Sequence, residues 1–173
     1  MDISSWIKQM LTVREEMCSL DFKKLYRYCP PNKGCSQEDI RRAEAQLGVR
    51  LDAQYADFLR YANGWREFFG DISLFGTQEL AGSPELDMAW ELLELVYPLN
   101  PHLAFQKEDL LPIAIDEAGR GFFVLAPSAR GGPGAVIWFA GQEVERYASF
   151  HDFLRSILQY NIDDLEESFK GRA

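Results

Sequence analysis

The sequence predicts an α+β fold: a mixed or mostly antiparallel sheet of about five strands, with helices packed on it from both ends of the chain. Two observations predict it. Apolar residues recur at helical spacing through roughly the first hundred residues and again at the end. From Leu110 the period shortens, and runs of aliphatic and aromatic residues alternate with turn signals. With 173 residues, 47% hydrophobic and 13% aromatic, the chain is expected to form a single domain, 1–173, with its own core. A chain of that size buries roughly 70% of its unfolded surface without needing staples.

The elements follow in order. Ile3, Trp6, Ile7, Met10 and Leu11 predict a helix capped by Ser4 or Ser5 and running to about Met17. Leu20, Phe22, Leu25 and Tyr26 continue the apolar pattern less regularly, and Pro30-Pro31 breaks it. This helical extension, residues 1–30, carries a stripe that reads as core, with a partner-helix groove as the alternative. Ser36 is an N-cap, with Glu38 and Asp39 in the first turn where the helix dipole favours acid. Ile40, Ala43 and Leu47 form the apolar face, and Gly48 suits the left-handed stop. Asp52 caps a second helix built on Tyr55, Phe58, Leu59 and Ala62, which Asn63-Gly64 ends. Trp65 to Phe69 is expected as a loop. Phe68 and Phe69 are expected to fold back onto the core. Trp65 and Arg66 are candidates for a recognition surface, with burial the open alternative. Ile72 to Phe75 reads as a strand.

Ser83-Pro84-Glu85 is a cap, a proline at the first helical position and an acid. Leu86, Ala89, Trp90 and Leu93 make that helix's buried face. Glu85, Asp87, Glu91 and Glu94 are unopposed by any base between Ser83 and Tyr97 and read as a solvated face. Leu110–Ile115, Phe122–Leu125, Ala135–Phe139 and Glu143–Tyr147 follow as strand segments, with Pro112 marking a strand start or an edge. Ser149 opens a last helix through Phe150, Phe153, Leu154, Ile157 and Leu158, and an acidic tail, 160–173, follows.

The central stretch resembles the SUKH superfamily, the Smi/Knr-like domains. The resemblance rests on Leu47-Gly48-Val49-Arg50-Leu51, Tyr55-Ala56-Asp57-Phe58-Leu59 and Asn63-Gly64, in that order, followed by a strand. Asp52 stands where the family usually carries proline, and either residue can start a helix. The later strands, with Trp138, and the last helix are similar to the rest of such a domain, so the resemblance covers about 36–158.

Chemistry-bearing patterns are sparse. Arg130-Gly131-Gly132-Pro133-Gly134 lacks the Gly-Lys-Ser/Thr end of a phosphate loop and runs into a strand. His151 and Asp152 are neighbours on a helix, pointing about 100° apart, which argues against a dyad. No His-Glu-x-x-His or paired Cys-x-x-Cys occurs, so no catalytic residue, cofactor or metal is expected. Cys18, Cys29 and Cys35 read as free thiols, and a disulfide between Cys29 and Cys35 stays open. No apolar run has the ~18 residues of a membrane span, and no secretory leader is recognisable, so the chain is expected in the cytoplasm.

The formal net charge is −9, unevenly spread. Residues 1–66 hold 11 Lys/Arg and 9 Asp/Glu; residues 67–173 hold 7 and 18. Phosphate backbones repel such a chain, whereas a basic protein partner is drawn to it; acidity serving only solubility is the plain alternative. The resemblance implies a non-enzymatic binding domain: a bacterial immunity protein that blocks a polymorphic toxin domain, a nuclease being one kind, or a regulatory scaffold like the fungal members. A basic toxin would meet acidic positions, for which charge selects Glu85, Asp87, Glu91, Glu94, Asp116, Glu117, Glu143 and Glu145 beside Trp65 and Arg66.

Overall fold

The computed structural model describes residues 1–24, 27–128 and 132–170, without the side chains of 168–170. Leu25, Tyr26, the Arg130-Gly131 pair of the glycine-rich loop and residues 171–173 of the expected tail lie outside the described residues.

Helix α1 spans Ile3–Leu20, starting before the expected cap and running three residues past the expected end at Met17. Its cap is Asp2, whose carboxylate accepts Ser4 N at 3.1 Å, rather than Ser4 or Ser5. Ile3, Trp6, Met10 and Met17 are buried, so the apolar stripe is core. Helix α2 spans Gln37–Leu47 behind a capping box in which Ser36 and Asp39 satisfy each other's backbone N–H groups. Gly48 ends it at φ 73°. Helix α3, Ala53–Tyr61, starts where Asp52 accepts Gln54 N and Tyr55 N, so the aspartate serves as the helix start expected of it.

Six strands form one sheet in chain order, each antiparallel to the next: β1 (Trp65–Phe69), β2 (Ile72–Leu74), β3 (Leu111–Asp116), β4 (Phe122–Leu125), β5 (Val136–Ala140) and β6 (Gln142–Tyr147). The sheet is therefore wholly antiparallel, with one strand more than the expected five. The extra strand is β1, read from sequence as a loop. Glu67 sits inside it at φ 51°, a bulge that destroys the two-residue alternation by which a strand is recognised. Between β2 and β3 run a single-turn helix α4 (Thr77–Leu80) and the amphipathic α5 (Pro84–Val96). Helix α6, Phe150–Asp164, opens at the Ser149 cap and runs into a wider-wound turn over Leu165–Lys170.

Every residue of β3 and β4 is buried, which requires cover on both sheet faces. On one face Phe123 meets Trp138, Tyr147 and, from α6, Phe153, with ring centroids 5.0–6.5 Å apart. Phe122 stacks on Phe139 on the other face, and α5 packs against β3. Trp6, Phe58, Trp65 and Phe150 link α1, α3, β1 and α6 edge to face, and Trp6 Nε1 donates to Leu154 O at 2.8 Å. Pro112 pairs with β4 but lies beyond the end of β2, so its missing N–H takes no rung from that ladder.

The start of β1 is fixed by two backbones that nearly touch. A Cβ on Gly76 would lie 2.3 Å from Asn63 O, and one on Gly64, at φ 85°, would lie 2.7 Å from Gly76 N. Asn63 locks the crossing: its Oδ1 accepts Thr77 N at 2.7 Å and its Nδ2 donates to Thr77 Oγ1 at 3.0 Å. Gly76→Ala and Gly64→Ala are each expected to destabilise the fold by roughly 2–4 kcal/mol in urea denaturation. Gly48→Ala, at positive φ but with no neighbour within 4 Å, is expected to cost only about 1–2 kcal/mol. Gly76 sits at φ −99°, so a cost there no larger than an exposed substitution, with Gly64 and Gly48 costing the same, would show that φ and not the crossing matters.

Candidate partner-binding surface

The eight acidic candidates separate into three groups by what their side chains already bind, and Trp65 and Arg66 stand apart from them. Glu85, Asp87 and Glu91 are exposed on α5 and have no basic partner among the described residues. Ser83 Oγ accepts Leu86 N at 3.1 Å and Pro84 fills the first helical position, so Glu85 and Asp87 stand in the first turn. There the helix dipole stabilises them.

Two acids are exposed but paired. Lys107 donates to Glu94 at 2.7 Å, and Arg27 lies 3.6 Å from Glu117. Exposed pairs of this kind contribute little and leave the carboxylates open to exchange.

Three acids are committed inward. Asp116 closes the β3–β4 turn by accepting Arg120 N and Gly121 N, both at 2.9 Å. Arg120 in turn reaches Asp71 at 2.7 Å, tying that turn to the β1–β2 turn. Glu143 is gripped by both guanidinium arms of Arg146, at 2.8 and 2.7 Å, with His102 Nε2 at 3.1 Å. Arg146, ahead of His102, holds the Glu143 carboxyl below its ordinary value. Glu145 accepts the hydroxyls of Tyr147 and Tyr160.

Trp65 is removed from the surface. Its side chain is fully buried, and Nε1 donates to Cys29 O at 2.7 Å. The reason is β1 itself: once the segment is a strand, alternation sends Trp65 inward and Arg66 outward. Phe68 is fully buried and Phe69 half-buried against Trp138 and Tyr160.

Arg66, Glu85, Asp116 and Glu117 line one shallow cleft of about 260 Å³ with Glu79 and Ser73. Sequence reasoning missed Glu79. It occupies the third position of α4, where it accepts Gly76 N at 2.9 Å, and α4 is too short to leave a periodic signal. Of the unpaired acids of α5 only Glu85 lines the cleft, and the buried Trp65 forms part of its wall, so five of the predicted residues converge. Glu143 and Glu145 lie on β6, at the far edge of the sheet.

The chemical alternatives have structural explanations. Gly134 permits close approach to Ala126 O, 2.2 Å from where its Cβ would be, and its N–H donates to Asp52 at 2.9 Å. Asp152 receives Ser149 Oγ and Arg155, not the His151 ring. Cys18, Cys29 and Cys35 are free thiols, so the disulfide left open between Cys29 and Cys35 is absent. No described helix is long and apolar enough to cross a membrane.

The class this defines is an α+β domain, a meandering antiparallel sheet between helices, whose exposed acids lie on a helix rather than in an enclosed centre. The family model described as SMI1 / KNR4 family (SUKH-1) matches residues 34–156, and the chain belongs to that family. No curated protein matches it.

The Glu143 geometry makes a prediction about pH. A carboxyl held below its unfolded value stabilises the fold fully above about pH 4.5, and that contribution is lost as pH falls through its folded value. Glu143→Gln is therefore expected to lower stability at pH 7 and to flatten the loss of stability below pH 4.5. Thermal melts from pH 7 to pH 3 read both effects; a variant whose acid limb parallels the parent would refute the assignment.

Proposed function

We propose that this protein is a non-enzymatic binding domain of the immunity type, which binds a cognate toxin domain in the cytoplasm and blocks it. In this reading residues 1–173 act as one body, since α1 buries its stripe in the common core. Family membership supports the class. The observation that carries the polarity of the partner is the set of unpaired acids on α5: Glu85 in the cleft with Arg66, Glu79 and Glu117, and Asp87 and Glu91 together on another face of the helix. A basic toxin surface, such as the phosphate-holding cleft of a nuclease, complements it. A regulatory scaffold with no toxin partner is the second reading; nothing in the site favours it over the first.

Two measurements test the proposal. An immunity role requires a toxin gene beside this protein's gene, and cells expressing that toxin domain are expected to survive when the protein is co-expressed. Reversing Glu85, Asp87 and Glu91 to Lys together is expected to weaken toxin binding by about tenfold or more and to reduce its dependence on salt. Calorimetry at two ionic strengths reads both. An unaltered affinity and salt slope would remove α5 from the interface, and failure to protect cells would remove the immunity reading.

A further inference from the structure

Helix α5 carries a second, apolar feature that its acids do not explain. Leu86, Ala89, Leu93 and Val96 are its buried stripe. At 100° per residue, Met88, Leu92 and Leu95 form a separate line, which Leu99 extends in the following 3₁₀ turn, Tyr97–Leu99. The intervals are four, three and four residues, the spacing of a helix-pairing seam. The seam is open along most of its length: Met88 is 39% exposed, Leu95 68% and Leu99 63%. On one side stand Asp87, Glu91 and Glu94. On the other lies the β3–β4 turn, where a Cβ on Gly119 would be 3.3 Å from Met88 Sδ and 3.4 Å from Leu92 Cδ1. That turn also carries Glu117.

Leucine at two-thirds exposure is costly to leave in water, at about 25 cal/mol per Å² of apolar surface. Exposed apolar residues elsewhere in the chain, such as Phe22 and Val49, stand singly; Met88, Leu95 and Leu99 fall on one line of α5 and the turn that follows it. The acidic flank decides what fits against it. Within α5 there is no base, and Asp87 and Glu91 have no cationic partner among the described residues. An acidic or neutral helix would leave those carboxylates facing like charge or nothing.

We infer that the Met88–Leu92–Leu95–Leu99 seam is the docking site for a basic amphipathic helix of a partner protein. The partner's apolar residues lie along the seam and its Lys or Arg side chains meet Asp87 and Glu91. The inference rests on the protein-binding reading above and names the element that does the binding.

The test uses the full chain and a defined probe: an 18-residue helical peptide with leucine at three–four spacing and lysine elsewhere, compared with its glutamate counterpart. In an NMR titration the lysine peptide is expected to shift amides of residues 85–99 and 117–119. Leu95→Asp with Leu99→Asp is expected to weaken it by about tenfold or more, and Glu91→Lys to weaken it less and to reduce its salt dependence. Phe22→Asp, at an 88% exposed residue off the seam, should change nothing. Comparable binding of the glutamate peptide, shifts elsewhere, or an equal loss in Phe22→Asp would overturn the inference. So would a dimer in sedimentation that Leu95→Asp dissolves, since the occupant would then be a second copy. The same leucine variants in the cell-protection assay separate the two readings. Full protection by Leu95→Asp with Leu99→Asp sinks the seam alone. Peptide docking on α5 by a protein that protects no cell sinks the immunity reading alone.

Discussion

Two chain segments pass at Gly64 and Gly76 closer than any side chain allows, and the rest of the molecule is arranged around that passage. The crossing sets Asn63 against Thr77 and fixes where α3 ends and β1 begins. The same turn takes up the Pro30–Cys35 segment: Asn32 N donates to Gly64 O, Asn32 Nδ2 to Asn63 O, and Cys35 N to Leu59 O. Gly34 repeats the device, for its Cβ would lie 1.9 Å from Arg60 O. Buried backbone groups need partners, and three strings of backbone can supply them only at such distances. Trp65 is then covered by the start of this loop, where Cys29 O accepts its indole N–H.

The acidity of the chain has two uses once its pairs are known. Asp116, Glu143 and Glu145 hold a turn, an edge and two tyrosines, and they are unavailable as a recognition charge. Carboxylates withdrawn from water are tolerated only when donors satisfy them, which the buried Asp116 and the half-buried Glu143 and Glu145 have. Glu85, Asp87 and Glu91 hold nothing. A helix that spends no bases on its own acids leaves their field to whatever approaches.

The sheet's ends bear on how a partner binds. Glu67 makes a bulge in β1, and its N–H is turned to Ser73 Oγ at 3.0 Å. In β6 the register slips between Glu143 and Glu145, leaving Val144 outward, and Glu143 N is occupied by Asn100 Oδ1 at 2.9 Å. Bulges, charges and occupied donors are the features that prevent an added strand. Binding by a helix face is consistent with edges so guarded.

Local rules had enough information where one residue decides the outcome. Ser36, Asp52, Ser83 and Ser149 announce helices because a cap acts within three residues of itself. Periodicity gave the faces of α5 and α6, because burial repeats along a helix regardless of what covers it. The β1 strand escaped, since a bulge at Glu67 erases alternation and only pairing with β2 reveals it. Which acids are free also escaped. Glu85 and Glu143 are the same residue type on a charge map; what separates them is the irregular β6 register around Val144, which lets Arg146 reach Glu143 within one strand, and the arrival of His102 from another segment. Composition determined that this protein is acidic and built from helices and strands. Tertiary contact decided where that charge is left unspent, because pairing depends on distances between segments that the order of residues does not contain.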